Sequence, residues 1–504
     1  MSNEPGLIAF FNPQGNFDPD DSYWTEHPDF GGQLVYVKEV ALALAEELEV
    51  KVDIITRLIK DSEWPEFSSF QDGYDRSDLV RIIRIPFGGD EFLNKERLWP
   101  HLFEYVRGIE DFYSEENNWP DIVTTHYGDG GLAGAMFSER NDIPFTFTGH
   151  SLGAQKMDKL DVNFNNLENM LERFKFHLRL AAERVSMANS STIFVSTNQE
   201  RKTQYSHPAY REVVDPENAK KFAVVPPGVN LDIFNTELDE DDRRIKDLIA
   251  EKFERDLEEG RRDKPAVIAA SRLDEKKNHI GLVRAFARNK ELQKKANLVM
   301  TLRGIDNPFT GYENVDADEK KVLDDIMEVI ENNNLEGKVS MFSLGSQQEL
   351  ASCYRVLAEK KSVFALVSFH EPFGLAPIEA MASGLPVIAT ENGGPEEILQ
   401  EKDKQFGILV DPENPEDIAE GILQVVGDSE KWQEFHHAGR KRVKNKYTWK
   451  ATAGNYYERL NNILNKPEVY QSDRKREIPE YFFTGENEEE MINLLKSVYP
   501  LQEN

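Results

Sequence analysis

The sequence predicts an α/β protein made of two successive halves, each with a parallel sheet covered by helices. Short apolar runs typical of buried strands alternate with segments of helical periodicity, and the alternation restarts after the proline break Val224-Val-Pro-Pro-Gly-Val-Asn230. Residues with distinctive chemistry also follow the predicted strands directly. Because ligands of open α/β sheets bind beyond the carboxyl ends of the strands, we expect a ligand site between the two halves.

Each half shows its own strand and helix pattern. In the first half, strands are predicted at 6–11, 52–56, 80–85, 122–125, 145–148 and 192–195, with helices at 34–47 and 167–187. In the second half, strands are predicted at 266–270, 297–302, 339–342, 363–367, 386–390 and 407–410, with helices at 418–446 and 491–498. The predicted domains are 1–228, 229–445, and a helical segment, 446–504, that returns to the N-terminal domain.

Composition excludes several classes of protein. The net charge is −31 over 504 residues, which argues against nucleic acid as a partner and is compatible with a salt-rich cytoplasm. The single cysteine, Cys353, excludes an internal disulfide framework, and its place in a predicted helix indicates packing. The sequence has no apolar run long enough to span a membrane and no secretory leader, so a cytoplasmic protein without a membrane partner is expected.

The stretch from Ser368 to Glu379 carries the strongest local signal. It predicts a strand-to-helix loop with Glu371 in the loop, Pro377 at the first helical position and Glu379 in the first turn. Gly374 lets the backbone approach a ligand, and the free N–H groups of a helix start favour an anion. Two carboxylates flanking such a site suit a nucleotide-sugar, although Glu379 could also serve only the helix dipole.

Basic side chains in an acidic chain are the second signal. Arg272 and Lys277 follow a strand and can hold a diphosphate, or they belong to a solvated loop. His150 follows another strand and could act in acid–base chemistry or bind a sugar hydroxyl. Three loop cations could converge on a second phosphate, and these are Lys95, Lys156 and Arg179.

Common cofactor signatures are missing from the sequence. There is no nucleotide-triphosphate phosphate loop, no Cys/His metal cluster, no nucleophile elbow and no early Gly-x-Gly-x-x-Gly motif. The sequence therefore predicts neither a metal nor a cofactor, and it disfavours a dinucleotide-dependent oxidoreductase. The pair Gly31-Gly32 before a helix could offer backbone N–H groups to a phosphate or sugar oxygen.

Seven motifs of the chain form a recognisable set: Asn12-Pro-Gln-Gly-Asn16, His27-Pro-Asp-Phe-Gly-Gly-Gln33, His126-Tyr-Gly-Asp129, Thr148-Gly-His-Ser-Leu-Gly153, Arg272-Leu-Asp-Glu-Lys-Lys277, Glu371-Pro-Phe-Gly-Leu375 with Glu379, and Thr390-Glu-Asn-Gly-Gly-Pro395. Together they resemble the motifs of the retaining glycosyltransferases of the GT-B fold and, among these, the sucrose-phosphate synthases. The resemblance implies two Rossmann-like domains facing across a deep cleft.

The resemblance also implies a reaction and a set of site residues. It implies transfer of glucose from UDP-glucose to fructose 6-phosphate, with a separate sucrose-phosphate phosphatase acting downstream. The implied catalytic residues are His150, Arg272, Lys277 and Glu371. The implied donor-binding residues are Gly32, Arg272, Lys277, Glu371, Phe373, Gly374, Leu375 and Glu379. The implied acceptor-binding residues are Gly31, Gln33, Lys95, Tyr127, Ser151, Lys156 and Arg179.

Other functions stay open at this point. The family pattern has two consecutive arginines where this chain has Leu178-Arg179. Of these two positions, only Arg179 could therefore bind the acceptor phosphate. Sucrose synthase, which would use free fructose, is one alternative, and a synthase with another donor such as GDP-mannose is a second. A non-catalytic protein that binds sugar nucleotides is a third, which the presence of Arg272, Lys277, Glu371 and Glu379 disfavours.

Overall fold

A computed structural model describes residues 4–22, 32–312 and 315–502 of the chain. The chain divides into two compact units: unit 1 comprises Met1–Pro226 and Thr452–Asn504, and unit 2 comprises Pro227–Ala451. The sequence placed the corresponding divisions at residues 228 and 445. Each unit has its own parallel sheet with helices on both sides, as two Rossmann-like halves require. The deep cleft between the two domains remains a prediction from the family resemblance.

Unit 1 is built on an eight-stranded sheet with the order β3-β4-β2-β1-β5-β6-β7-β8. Its strands are β1 (Leu7–Phe11), β2 (Lys51–Arg57), β3 (Gln71–Tyr74), β4 (Ser77–Ile85), β5 (Ile122–His126), β6 (Phe145–Thr148), β7 (Thr192–Val195) and β8 (Phe222–Val224). Only β3, at the edge, pairs antiparallel. Strand β1 pairs with both β2 and β5, so the strand order reverses direction between β1 and β5.

The helices of unit 1 before the boundary are α1 (Gly32–Leu48), α2 (Leu102–Glu116), α3 (Tyr127–Asn141), α4 (Gly153–Lys159), α5 (Leu167–Phe174), α6 (Phe176–Asn189) and α7 (Asn198–Gln204). The single helix predicted over 167–187 is wrong, because Lys175 adopts a left-handed conformation with φ of 50° and separates α5 from α6. The break lets Phe176 enter the core, where it is buried.

Unit 2 is built on a six-stranded parallel sheet with the order β11-β10-β9-β12-β13-β16. The strands of this unit are β9 (Ala266–Ala270), β10 (Asn297–Thr301), β11 (Val339–Phe342), β12 (Val363–Leu366), β13 (Val387–Thr390), a small hairpin of β14 (Gln400–Glu401) and β15 (Lys404–Gln405), and β16 (Ile408–Val410). Strand β9 pairs with both β10 and β12, so here the strand order reverses between β9 and β12.

The helices of unit 2 are α8 (Glu240–Asp256), α9 (His279–Arg288), α10 (Lys290–Lys295), α11 (Ala317–Asn332), α12 (Gln347–Glu359), α13 (Leu375–Ala382), α14 (Gly394–Leu399), α15 (Pro415–Val426) and α16 (Ser429–Lys446). The prediction of one helix over 418–446 is wrong, because Asp428 caps a new helix and accepts hydrogen bonds from two of its backbone N–H groups. Cys353 is buried in α12, as its sequence context indicates.

The start of α13 corrects a second expectation. The helix begins at Leu375, so Pro377 is its third residue and Glu379 lies beyond the first turn. A proline is tolerated there because the first four N–H groups of a helix have no partner within the helix. The favourable effect of an acid in the first turn therefore does not account for Glu379.

The last segment of the chain belongs to unit 1. Its helices are α17 (Trp449–Asn465), α18 (Pro467–Tyr470), α19 (Tyr481–Thr484) and α20 (Glu488–Val498). Tyr456 of α17 stacks on Phe194 with ring centroids 3.8 Å apart, and its hydroxyl bonds the hydroxyl of Thr124. These contacts fasten the segment to β5 and β7 of unit 1. Within the described part of the chain, no helix has the length and apolar character needed to cross a membrane.

Candidate active site

A pocket of about 280 Å³ opens in unit 1 beyond the carboxyl ends of β1 and β5. This is the point where the strand order reverses, the usual ligand position in such sheets. The residues that line it are Gln14, Gly32, Gln33, Lys95, Glu96, Trp99, Tyr127, Gly128, Asp129, Ser151, Lys156, Phe174 and Arg179. We call it the unit 1 pocket.

The unit 1 pocket gathers the residues assigned to the acceptor from the sequence. Six of them line it, and they are Gln33, Lys95, Tyr127, Ser151, Lys156 and Arg179. Gly32, assigned to the donor, lines the same pocket, whereas Gly31 lies outside the described residues. Lys95, Lys156 and Arg179 come from widely separated parts of the sequence, and the fold brings these three cations to one pocket of a strongly acidic protein.

Arg179 is held in place by the buried carboxylate of Glu183. Its Nε donates to Glu183 Oε1 at 2.9 Å, and its Nη2 donates to the backbone carbonyl of Ser151. Glu183 also accepts the N–H of Gly153 and the hydroxyl of Tyr210. Burial is the largest single influence on the pKa of Arg179 and acts to lower it, but the charge and hydrogen bond of Glu183, together with Tyr127 and Tyr210, raise this pKa above its ordinary value. The guanidinium therefore stays charged and fixed in orientation.

The other two cations lie against different supports. Lys156 places its ammonium 4.2 Å from the centre of the Phe174 ring, which is a favourable cation–π distance. Lys95 lies in a short 3-10 helix, Lys95–Arg97, and its Nζ is 3.9 Å from Glu96 Oε1. Both ammonium groups are thus positioned by neighbours that also line the pocket.

The loop that leads to Lys95 is fastened by Arg57 at the end of β2. Arg57 is buried, and its Nη2 donates to the carbonyls of Gly88, Gly89 and Glu91 at 3.2, 2.8 and 2.8 Å. Its Nε donates to the carbonyl of Phe87 at 2.8 Å. One guanidinium therefore binds four backbone carbonyls of the loop 87–91, ahead of the short helix that carries Lys95.

Asp129 adds a carboxylate to the unit 1 pocket. It is 4% exposed, its Oδ1 accepts the N–H of Gly130, and its Oδ2 has no hydrogen-bond partner within the described part of the chain. Burial raises the pKa of Asp129 to about 7, although nearby Arg179 and Lys95 act in the opposite direction. A buried oxygen without a partner costs free energy, so this pocket offers an unfilled acceptor for a hydroxyl or amine of a ligand.

His150 forms a pair with His126 beside the same pocket. Nδ1 of His126 and Nε2 of His150 are 2.9 Å apart, and the two rings lie within 24° of a common plane. His150 has a left-handed backbone, with φ of 53°, as does Tyr127 with φ of 61°. Bulky residues in this conformation carry strain, which is commonly found at functional sites.

Several residues of the unit 1 pocket were not singled out from the sequence. Gln14 and Asp129 stood inside quoted motifs, but no role was assigned to them. Trp99, Glu96 and Phe174 carried no usable signal except that Phe174 lies between two basic residues, Arg173 and Lys175. The aromatic rings give the pocket an apolar wall beside its charged groups.

Unit 2 places Lys277 and Glu371 together. Lys277 Nζ donates to Glu371 Oε2 at 2.7 Å, and Glu371 is 9% exposed. Lys277 follows β9 and Glu371 follows β12, which are neighbours in the sheet where its strand order reverses. Asn278 fixes the base of this arrangement, because its Nδ2 donates to the carbonyls of Val367 and Pro412 at 3.0 and 2.8 Å.

Two glycines allow the loops around Glu371 to approach closely. The N–H of Gly394 donates to the carbonyl of Glu371 at 2.8 Å, and a Cβ on Gly393 would lie 1.9 Å from that same carbonyl oxygen. Gly374, with φ of 105°, takes the left-handed position before α13. Next to it, Leu375 is 40% exposed and Phe373 is partly buried, its ring centroid 6.0 Å from that of Tyr447.

Glu379 is a largely buried carboxyl on α13. Burial raises its pKa to about 7, and no side-chain cation accompanies it among the contacts of the described residues. A carboxyl in this condition is ready to accept hydrogen bonds from hydroxyl groups of a ligand.

Arg272 lies on the same loop as Lys277 but lines a different hollow. It is exposed and borders a pocket of about 680 Å³ together with Phe369, Asp316 and Glu319. The structure therefore joins Lys277 to Glu371 directly, whereas no hydrogen bond or ion pair in the described residues joins Arg272 to either of them. The described residues also hold no group of three or more His, Cys, Asp or Glu arranged to bind a metal ion.

Two family profiles match the chain. Residues 7–255 match the profile described as "Sucrose synthase first GT-B domain", and residues 251–442 match the profile described as "Glycosyl transferases group 1". Together they run through both units.

Individual relatives agree with these profiles. A "Probable sucrose-phosphate synthase" from Thermosipho melanesiensis is 45% identical over 475 residues, covering 94% of this chain and 98% of the relative. A "Probable sucrose-phosphate synthase 4" from Oryza sativa subsp. japonica is 32% identical, covering 91% of this chain and 47% of the relative. The chain therefore spans about half the length of that plant relative.

A solved structure shows the same similarity. The sucrose-phosphate synthase from Thermosynechococcus elongatus matches with a TM-score of 0.62 at 25% identity, covering 90% of this chain and 98% of that one. The predicted GT-B fold is confirmed by this match and by the group 1 profile.

Proposed function

Because the chain belongs to the sucrose-phosphate synthase family of GT-B hexosyltransferases, we propose that it transfers glucose from UDP-glucose to the 2-hydroxyl of fructose 6-phosphate. The products are sucrose 6-phosphate and UDP. The observation that carries this proposal is the convergence of Lys95, Lys156 and Arg179 in one pocket. Three cations in a chain of net charge −31 favour a ligand that brings a phosphate.

The acceptor occupies the unit 1 pocket in this proposal. Its phosphate meets Lys156 and Arg179, and Lys95 lines the same pocket. Gln33, Tyr127, Ser151 and Asp129 bind the sugar hydroxyls, and Trp99 and Phe174 provide the apolar wall. The fixed fork of Arg179 suits two phosphate oxygens at once.

The donor is held by the loops of unit 2. Glu371 accepts hydrogen bonds from the glucose hydroxyls, and Glu379 accepts them from the ribose. Lys277 and Arg272 neutralise the diphosphate, while the backbone at Gly374 and Leu375 approaches it at the start of α13. The ion pair between Lys277 and Glu371 supports this division, because it sets a cation beside the carboxylate that binds the sugar.

The proposed transfer retains the configuration at the anomeric carbon. The bond from that carbon to the diphosphate oxygen breaks, and a bond to the acceptor oxygen forms on the same face. The acceptor proton passes to the departing phosphate oxygen, so no enzyme nucleophile takes part. Lys277 and Arg272 stabilise the charge on the leaving group. A covalent glucosyl-enzyme trapped on Glu371 would contradict this mechanism.

We further propose that the product passes to a separate phosphatase. Sucrose 6-phosphate still carries the acceptor's phosphate, so release of free sucrose requires hydrolysis of a phosphate monoester. The chemistry proposed for the two units contains no such step. A cytoplasmic location remains part of the proposal, in keeping with the single cysteine.

Sucrose synthesis from unphosphorylated fructose is the second candidate. It is favoured by one observation, the match of residues 7–255 to the first GT-B domain of sucrose synthase. The three cations of the unit 1 pocket favour the phosphorylated acceptor instead. Another donor, such as GDP-mannose, would meet the same loops of unit 2.

A product assay tests the proposal. UDP-glucose, ADP-glucose and GDP-mannose are each offered with fructose and with fructose 6-phosphate, and the sugar formed is identified by mass spectrometry and NMR. We expect sucrose 6-phosphate from UDP-glucose and fructose 6-phosphate, and little product with free fructose. Equal use of free fructose would establish sucrose synthase activity in its place.

Lys156→Ala tests the acceptor site. We expect the KM for fructose 6-phosphate to rise about tenfold or more, because a charge-assisted bond to phosphate is lost, while the KM for UDP-glucose stays the same. Lys159→Ala is the matched control, since Lys159 is exposed on the same helix and does not line the pocket. An unchanged acceptor KM in Lys156→Ala would remove Lys156 from the site.

A further inference from the structure

His126 has no assigned part in the proposed reaction, yet it makes the closest polar contact of His150. The His126 side chain is fully buried, whereas the His150 side chain is partly exposed. Their nitrogens lie 2.9 Å apart and their rings are near coplanar, which points an N–H along the lone pair of its neighbour. The two imidazoles thus share one hydrogen bond in which one ring donates and the other accepts.

The surroundings keep both rings neutral. His126 lies 5.6 Å from the Phe10 ring and 6.1 Å from the Tyr36 ring, and His150 lies 5.3 Å from Tyr36 and 5.5 Å from Tyr127. Neither histidine forms an ion pair with a carboxylate in the described residues. Burial lowers the pKa of His150 to about 3 and that of His126 well below its ordinary value.

The two possible directions of the shared bond have different costs. Nε2 of His126 is buried and has no hydrogen-bond partner among the residues that the structure describes. If His150 Nε2 donated, His126 would carry its proton on that Nε2, which would leave a buried N–H without an acceptor. If His126 Nδ1 donates, its Nε2 is only an unfilled acceptor, the less costly of the two arrangements.

We propose that His126 is a positioning residue that fixes His150 in the tautomer protonated on Nδ1. His126 Nδ1–H donates to His150 Nε2, so His150 keeps its proton on the opposite nitrogen. There it is available to donate to an oxygen of the transferred sugar. This inference rests on the proposed function only for the identity of that sugar; the tautomer itself follows from the geometry of the pair.

The left-handed backbone of His150 supports this assignment. Its φ of 53° is costly for a residue with a Cβ, and such strain persists only where surrounding contacts enforce it. The bond from His126 and the flanking rings of Tyr36 and Tyr127 supply these contacts. The imidazole is therefore fixed in both position and protonation before a ligand arrives.

NMR of the full-length protein labelled with ¹⁵N-histidine tests the tautomer directly. Long-range ¹H–¹⁵N correlations report which nitrogen of each ring carries the proton, and His150→Gln identifies the His150 signals among the ten histidines. We expect His150 protonated on Nδ1 in the wild type. We expect the same in His126→Asn, whose amide can replace the Nδ1–H donor, and a proton on Nε2 in His126→Phe.

Kinetics provide the second measurement. His126→Phe should lower kcat about 5- to 10-fold, the effect of one lost hydrogen bond, with both KM values nearly unchanged. His126→Asn should recover most of that loss. His437→Phe is the control, since His437 is exposed on α16. Melting temperatures of all variants separate a folding defect from a loss of positioning.

The outcomes distinguish this inference from the proposed function. His150 protonated on Nε2 in the wild type, or a tautomer that is the same in the wild type and His126→Phe, would overturn the inference. Failure of the wild type to form sucrose 6-phosphate would overturn the proposed function but would not change the conclusion about the tautomer of His150.

Discussion

Asp129 shows how a single carboxyl oxygen can reveal a ligand. Among the described residues its Oδ2 is buried without a partner, in a pocket that also holds three cations, and burial raises its pKa to about 7. No sequence pattern distinguishes Asp129 from an ordinary acid in the first turn of a helix, because the surroundings of its Oδ2 arise from tertiary packing.

We predict that Asp129→Asn raises the KM for fructose 6-phosphate about tenfold or more, because a hydrogen bond to a charged acceptor is lost. In the wild type the carboxylate is protonated as the pH falls below about 7, so the acceptor KM should rise there. The substrate phosphate titrates near pH ~6 as well. Any pH dependence of the acceptor KM that is lost in Asp129→Asn is therefore due to the titration of Asp129.

The control for this measurement is Asp142→Asn. Asp142 is exposed at the end of the same helix, and its left-handed conformation accepts asparagine readily. An Asp129→Asn variant with the acceptor KM of the wild type at every pH would exclude contact with the acceptor.

Glu379 allows a parallel prediction for the donor. Burial raises its pKa to about 7, so the carboxylate is present above that pH and lost as the pH falls through it. We expect the KM for UDP-glucose to increase from about pH 8 to about pH 6 in the wild type. In Glu379→Gln it should be higher at pH 8 and nearly independent of pH. Steady-state kinetics at saturating acceptor measure both.

The exposed Glu328 on α11 provides the matched control, Glu328→Gln. A donor KM in Glu379→Gln that follows the wild-type pH profile would remove Glu379 from the donor site. The sequence identified this glutamate but placed it in the first turn of its helix, because the helix start depends on the left-handed conformation of Gly374.

At the scale of elements, the loop after β4 depends on one buried arginine. Arg57 donates to four carbonyls between Phe87 and Glu91 and so fixes the chain ahead of Lys95. Nothing in the sequence pattern pairs Arg57 with this loop, since the contact requires β2 and β4 to be neighbours in the sheet.

We predict that Arg57→Gln raises the acceptor KM and lowers the free energy of unfolding by about 2–3 kcal/mol, the range for hydrogen bonds to a buried charged group. Arg57→Lys should recover only part of both losses, because an ammonium lacks the planar fork. The KM for UDP-glucose should not change. Chemical denaturation and two-substrate kinetics provide the measurements.

Arg76→Gln serves as the control, because Arg76 is an exposed arginine of the same unit. Equal effects of Arg57→Gln on both substrates would indicate general destabilisation of the enzyme instead of loop positioning.

The sequence predicted for most segments whether they form a strand or a helix. It did not predict where a helix is interrupted or which strands are neighbours in a sheet. Apolar runs located the parallel strands except β8 to within a few residues, because buried strands leave a local pattern. The break at Lys175 left no such pattern, since a lysine rarely adopts a left-handed conformation. The contact between Lys277 and Glu371 could be suspected from their loops, but it depends on the pairing of β9 with β12.

At the scale of the whole molecule, the charge of −31 is the dominant property. Like charges repel one another in the compact state, and added salt shortens the range of that repulsion from about 10 Å at 0.1 M to about 3 Å at 1 M. We predict that the melting temperature rises by a few degrees over this range of NaCl and of KCl, with activity retained. Thermal unfolding followed by circular dichroism measures this. A steady fall of melting temperature and activity in both salts would contradict adaptation to a salt-rich cytoplasm.

The division of the chain into units has a consequence for the order of synthesis. Unit 2 is one continuous stretch, Pro227–Ala451, while unit 1 combines residues that precede and residues that follow this stretch. All of unit 2 therefore leaves the ribosome before unit 1 is complete. The patch of unit 1 around Thr124 and Phe194 stays uncovered until Tyr456 emerges to pack against it. The half that carries the unit 1 pocket begins translation first and is the last to be finished.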